Sequence, residues 1–120
     1  MIALNPRAVA RDVAVGTARP ATSILFDSAD LRLLVFRLAP GQVVPPHRSP
    51  SSVMLTVLEG EGLLSGPSGE VACSPGDVVC YAPDELHGMR AVDVELHLLA
   101  TITPRPGERP PVAATAAGGQ

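Results

Sequence analysis

Tryptophan and lysine are absent from this 120-residue chain, and it holds only one tyrosine, two phenylalanines and two cysteines. So few aromatics leave almost no platform on which a nucleic-acid base could stack. The nine basic residues are all arginines, scattered from Arg7 to Arg109 against twelve acidic residues, for a net charge of −3. Nucleic-acid binding needs a concentrated positive face, so no nucleic-acid partner is expected. No apolar run approaches the roughly 18–20 residues of a membrane-spanning helix, so no membrane partner is expected either. Residues Met1 to Arg7 lack the charged start and long apolar stretch of a secretory signal, and the expected location is the cytoplasm. Cys73 and Cys80 have no metal-type pairing, and in that compartment both are expected reduced and packed.

What is present is a globular composition, 46 % hydrophobic, in a length that makes one domain. Asn5-Pro6 is a helix start, an Asn cap followed by Pro at the first helical position. Ala8, Val9, Ala10 and Val13 then predict one short helix closing before Gly16, inside an N-terminal arm spanning 1–22. From Ser23 the pattern changes to short β-prone runs: Ser23–Phe26, Leu31–Leu38, Val53–Leu58, Leu63–Ser65, Glu70–Cys73, Val78–Tyr81 and Val92–Thr103. Gly, Pro and Asp clusters separate them, Glu59-Gly60-Glu61-Gly62 among them, and this rhythm predicts an all-β sandwich or barrel over 23–103. Leu31–Leu38 is apolar on both faces, which predicts a strand between two layers or one meeting a second subunit; a homodimer is expected. Residues 104–120 are Pro-rich, then Ala/Gly-rich, and are expected to form a loose tail.

Two stretches carry a family pattern. Gly41-Gln-Val-Val-Pro-Pro-His47-Arg-Ser49-Pro-Ser-Ser-Val53, continuing to Gly60, resembles the first cupin motif, G-x5-H-x-H-x3-E-x6-G. Gly76 to His87 resembles the second, G-x5-P-x-G-x2-H, with Ala82 and Asp84 where Pro and Gly are usual. Together with the flanking strands the resemblance covers roughly 23–103 and implies a double-stranded β-helix, a jelly-roll barrel enclosing a cavity open at one end. It also implies a metal site of His, His, Glu and His. Here those positions read His47, Ser49, Val53 and His87, so one imidazole and the carboxylate are missing.

The resemblance makes His47 and His87 the expected metal ligands. The expected cofactor is a weakly held divalent transition metal (Zn, Fe, Ni, Mn or Cu), since catalytic sites usually offer three protein ligands. Candidates for a third are His97, Ser49, Asp84, Glu85 and Cys80. Strand alternation puts Val53, Leu55 and Val57 on the cavity face with Ser49, and Met54, Thr56 and Leu58 on the other. With Met89 and His97 these form the expected ligand pocket: Ser49, Val53, Leu55, Val57, Met89 and His97, apolar with two imidazoles at one end. Three functions compete. The first is a cupin that binds a small, partly apolar molecule; the others are a metal-dependent dioxygenase- or isomerase-like enzyme and a metal-free enzyme with a histidine base. The lost Glu and second His favour binding.

Overall fold

Asn5 acts as its place before Pro6 predicts: its side-chain oxygen accepts the Ala8 N–H at 3.2 Å and opens helix α1, Pro6–Asp12. The structure is a computed structural model describing residues 1–106. Seven strands follow: β1 Ala21–Asp27, β2 Arg32–Leu38, β3 Val43–His47, β4 Ser52–Gly66, β5 Gly69–Cys73, β6 Val78–Tyr81 and β7 His87–Thr103. All pair antiparallel.

The long strands β4 and β7 run side by side and pass through both walls of the barrel. Their Ser52–Gly60 and Leu96–Thr103 halves form one wall with β1 and β2 on one side and β6 on the other. Their other halves form the second wall, flanked by β3 and β5. The result is the all-β, double-stranded β-helix with a short N-terminal helix that the sequence implied. Between the walls lies the core, with Leu38, Leu55, Val57, Leu64, Leu96 and Leu98 almost wholly buried.

Two sequence expectations change here. Glu59-Gly60-Glu61-Gly62 does not end a strand but continues β4, because its glycines absorb irregularities that keep β4 paired with β7. Gly60 has φ +82°, and a Cβ there would collide with the Glu95 carbonyl oxygen. Correspondingly β7 begins at His87 rather than Val92, with the register jumping from Leu96 to Ala91 opposite Gly60 and Gly62. The short strand β3 lies inside the first motif and went unread because it contains Pro45 and Pro46. Among the described residues it pairs only with β7, an edge position where proline is tolerated.

The apolar character of both faces of β2 finds part of its explanation inside the chain. Leu38 faces the core, whereas Val35 is fully buried on a strand that α1 also contacts. Arg37 fastens the helix: its Nη1 donates to the carbonyls of Arg11 (2.9 Å) and Val13 (2.7 Å), and its Nε and Nη2 hold the Glu95 carboxylate. Cys73 is buried as expected, but Cys80 is exposed, since alternation along β6 turns Val79 and Tyr81 inward. Of the expected loose tail, the first residues are tied down: Ser51 Oγ donates to the Pro104 carbonyl, Arg105 Nε to Asp27, and Pro106 is buried. The remainder, 107–120, lies outside the described residues.

Candidate functional site

His47 ends β3 and His87 begins β7, and the two are partners in the register that joins those strands. Gly88 makes the approach possible, since a Cβ there would press on the Val44 carbonyl oxygen and the Pro46 backbone. The imidazole centroids lie 4.2 Å apart with the planes tilted by 57°, and the Tyr81 ring stands 5.2 Å from His87. The loops leading to the two histidines are pinned to each other. Asp84 N–H donates to the Ser49 carbonyl at 2.7 Å, and Arg48 Nη1 donates to the Asp84 carbonyl at 2.9 Å.

Hydrogen bonding decides which ring nitrogens are available. His47 Nδ1 is 3.0 Å from the Pro45 carbonyl and His87 Nδ1 is 3.1 Å from the Glu85 carbonyl. A carbonyl can only accept, so each Nδ1 carries the hydrogen and each Nε2 of the neutral rings keeps a lone pair. Among the described residues, His87 Nε2 is buried with no hydrogen-bond partner. Burial, and secondarily the nearby His47, hold the His87 pKa below the usual histidine value of 6.5, against the upward pull of the bond to Glu85. His87 is therefore neutral near pH 7. Tyr81 offers no proton there: its hydroxyl donates to the Ser65 carbonyl at 2.6 Å, and burial pushes its pKa up to about 12.

The two rings line one internal cavity with Phe36, Val53, Leu55, Met89, Ala100 and Ile102. Its volume is about 20 Å³, room for roughly one water molecule. Two far larger clefts, of about 410 and 420 Å³, open elsewhere and are not lined by either imidazole. The chamber is smaller than a ligand-sized pocket because Phe36, Leu55, Met89 and Ile102 fill it.

Of the residues singled out in the sequence, His47, His87, Val53, Leu55 and Met89 meet at this cavity. Val57 is buried in the core but does not line it. Ser49 is buried in the loop, where its hydroxyl accepts the Ser51 N–H at 3.1 Å, so it serves the loop rather than the cavity. Met54 is on the opposite face of β4, as alternation required.

His97 is a correction. It is expected in the pocket, yet the irregularity opposite Gly60–Gly62 reverses the parity that His87 and Met89 set. Residues 87, 89 and 91 are buried before that point, whereas Leu96, Leu98, Ala100 and Ile102 form the core after it. His97 therefore faces away from the cavity, its Nε2 2.8 Å from Glu95 and its Nδ1 3.8 Å from Glu59, which Arg11 of α1 also engages. The other candidate third ligands are turned elsewhere too. Glu85 accepts the Ala82 N–H at 2.7 Å, Asp84 is exposed, and Cys80 lines a cleft outside. Asp84 has φ +67°, which explains why the motif favours Gly at that position. Phe36, Ala100 and Ile102 were missed, although the inward alternation of β2 and of the end of β7 was the signal for them.

Among the described residues no group of three or more His, Cys, Asp or Glu side chains could hold a metal ion. A divalent catalytic centre needs about three protein donors with a position left open. The donor set here, two imidazoles in an apolar cavity, does not fit one.

A protein-family model described as a cupin domain matches residues 34–102. No curated protein sequence matches the chain. Similar solved structures include TT1209 from Thermus thermophilus, 25 % identical with a TM-score of 0.76, covering 82 % of this chain and 95 % of that one. An RmlC-like cupin protein from Desulfovibrio desulfuricans is 28 % identical with a TM-score of 0.66, covering 72 % and 83 %. The polyketide cyclase RemF from Streptomyces resistomycificus shares the fold at 19 % identity and a TM-score of 0.70, covering 88 % and 80 %.

Proposed function

The chain belongs to the cupin family, and from that premise we propose that it is a binding protein for a small molecule rather than a three-ligand metalloenzyme. The ligand places a hydrogen-bond-donating head group, a hydroxyl or an amine, within hydrogen-bond reach of His87 Nε2, beside the His47 imidazole. Its remaining, partly apolar body lies outside at the half-buried His47, because the cavity holds only about one water-sized group.

One observation carries this reading: His87 Nε2 is a buried lone pair without a partner among the described residues, at the end of an otherwise apolar cavity. An unsatisfied buried acceptor costs about 1–3 kcal/mol, which a donor brought by a ligand recovers. Val53 suits this role, since a carboxylate in its place would put a negative charge in the cavity. Orientation comes from the chain itself, through the two backbone carbonyls that hold each ring by Nδ1.

Two measurements test it. Protein purified without chelators is expected to carry no stoichiometric divalent metal; one Zn, Fe, Ni or Mn per chain would defeat the proposal. Small hydroxyl- or amine-bearing fragments should shift the ring NMR signals of His47 and His87, with matched fragments lacking the donor weaker by about tenfold. Fragments that bind with no response from either ring would place the ligand elsewhere.

A further inference from the structure

Two of the residues lining the cavity are only half-buried, Phe36 on β2 and His47 on β3, and they mark its mouth. On this side the two walls are unequal. Beyond β7 the first wall continues through β2 to β1, whereas the second ends at β3. Among the described residues, no strand of the second wall is left to face β1. Residues directly opposite in an antiparallel pair project to the same side of their sheet. Leu34 and Phe36 pack on the core, so their partners on β1, Ile24 and Thr22, belong to the same inner face. Yet Ile24 is 54 % exposed, Thr22 is exposed, and Leu34 and Phe36 are half-buried. The inner face of β1 and β2 is thus a shelf, apolar along Ile24, Leu34 and Phe36, and Phe36 carries it into the cavity. Past Ile24 the register slips, and Asp27, held by Arg32 (3.1 and 3.3 Å) and Arg105 (2.8 Å), closes the shelf with charges already matched.

We infer that this shelf seats the body of the ligand, and that the ligand is a medium-chain aliphatic alcohol or amine with an uncharged tail. This rests on the small-molecule reading and names the chemical class that the reading leaves open. The head group enters the water-sized cavity and donates to His87 Nε2, and the tail crosses Phe36 onto Leu34 and Ile24. From Phe36 to Ile24 is one strand across and two residues along, about 8 Å by sheet geometry. A tail of about six to eight carbons covers that span. Burial of its methylenes against exposed apolar side chains supplies the affinity that a single hydrogen bond does not. Phe36, shared by cavity and shelf, and Ile24, at the far end, set the chain length preferred.

Straight-chain 1-alkanols from 1-propanol to 1-decanol, titrated into the full chain and followed by the NMR signals of the two imidazoles and the Ile24 methyls, test the inference. Affinity is expected to rise roughly two- to fourfold per methylene up to about eight carbons and then to level off. The Ile24 methyls should respond only from about six carbons onward. Ile24→Ser changes an exposed side chain and should fold, shown by an unchanged circular dichroism spectrum. It should bind 1-octanol about fivefold more weakly than wild type and 1-propanol equally well. The inference is overturned if affinity stops rising by about four carbons, or if Ile24→Ser holds 1-octanol as tightly as wild type. It is also overturned if that substitution turns a dimeric wild type into a monomer by light scattering, which would assign the shelf to a second copy. Ring responses to 1-propanol in any of these cases leave the small-molecule reading standing, whereas imidazoles silent to every alkanol and amine defeat that reading itself.

Discussion

Glu95 and His87 show how neighbours set the chemistry of single residues. The Glu95 carboxylate accepts from Arg37 Nε and Nη2 (3.0 and 3.2 Å) and lies 2.8 Å from His97 Nε2; those bonds, Arg37 first, hold its pKa below the usual 4.5. The native state thus favours the ionised form. Its contribution to stability is fully present above the unfolded value of about 4.5 and is lost as pH falls through the lower native value. Urea unfolding followed from pH 7 down to pH 3 should therefore show a stability loss below about pH 4.5 that is smaller in Glu95→Gln than in the wild type. An identical slope in the two proteins would contradict the assignment. His87 is shifted by burial instead of pairing, and this keeps it an acceptor. Both histidine motifs are visible as letters, but the free nitrogen is not. It depends on Nδ1 meeting the carbonyls of Pro45 and Glu85, which is a matter of backbone path.

At the scale of elements, the pairing of β4 with β7 decides which side chains look inward. Alternation alone put Val53, Leu55 and Val57 on one buried face, because β4 is regular there, although Val57 does not line the cavity. It could not reach His97, because the irregularity between Gly60 and Gly62 shifts the register and inverts the parity of β7. Gly60 is the pivot, with φ +82° and no space for a Cβ against the Glu95 carbonyl. Gly60→Ala should lower stability by about 3 kcal/mol or more, combining left-handed strain with the clash, as read by chemical denaturation. A loss below about 1 kcal/mol would show that the strands slide past one another without this device. The short helix was legible because its signals are local: the Asn5 cap and Pro6 act within four residues. Strand β3 was not, since its pairing with β7 spans some forty positions and its two prolines disguise it.

For the whole molecule, the outer face of the first wall keeps exposed apolar side chains away from the cavity. Two cross-strand rows cover it: Leu33, Thr101, Met54 and Cys80 in one, and Val35, Leu99, Thr56 and Val78 in the other. Helix α1 contacts β2, and Val35 is buried, but Met54 and Val78 stay 40 % and 50 % exposed. The expected cover is a second copy of the chain, apposed face to face. Light scattering coupled to gel filtration should give twice the chain mass for the wild type and the chain mass for Met54→Glu, since a charge there would be buried unpaired. A monomeric wild type at about 100 μM, far above the Kd of a stable dimer, would remove the homodimer from the account. Among the described residues no helix is long and apolar enough to cross a membrane.

By itself the order of residues determined the family, the all-β architecture, the capped helix and the two histidines with their missing partners. Each of these is written in local spacing, turn chemistry or motif letters, which survive without knowledge of the fold. Tertiary structure alone decided that the chamber is nearly filled, that His97 belongs to the cluster beneath α1, and that Phe36, Ala100 and Ile102 line the cavity. Volume, parity beyond a strand irregularity and the meeting of side chains from β2 and β7 are properties of closed packing, which no one segment contains.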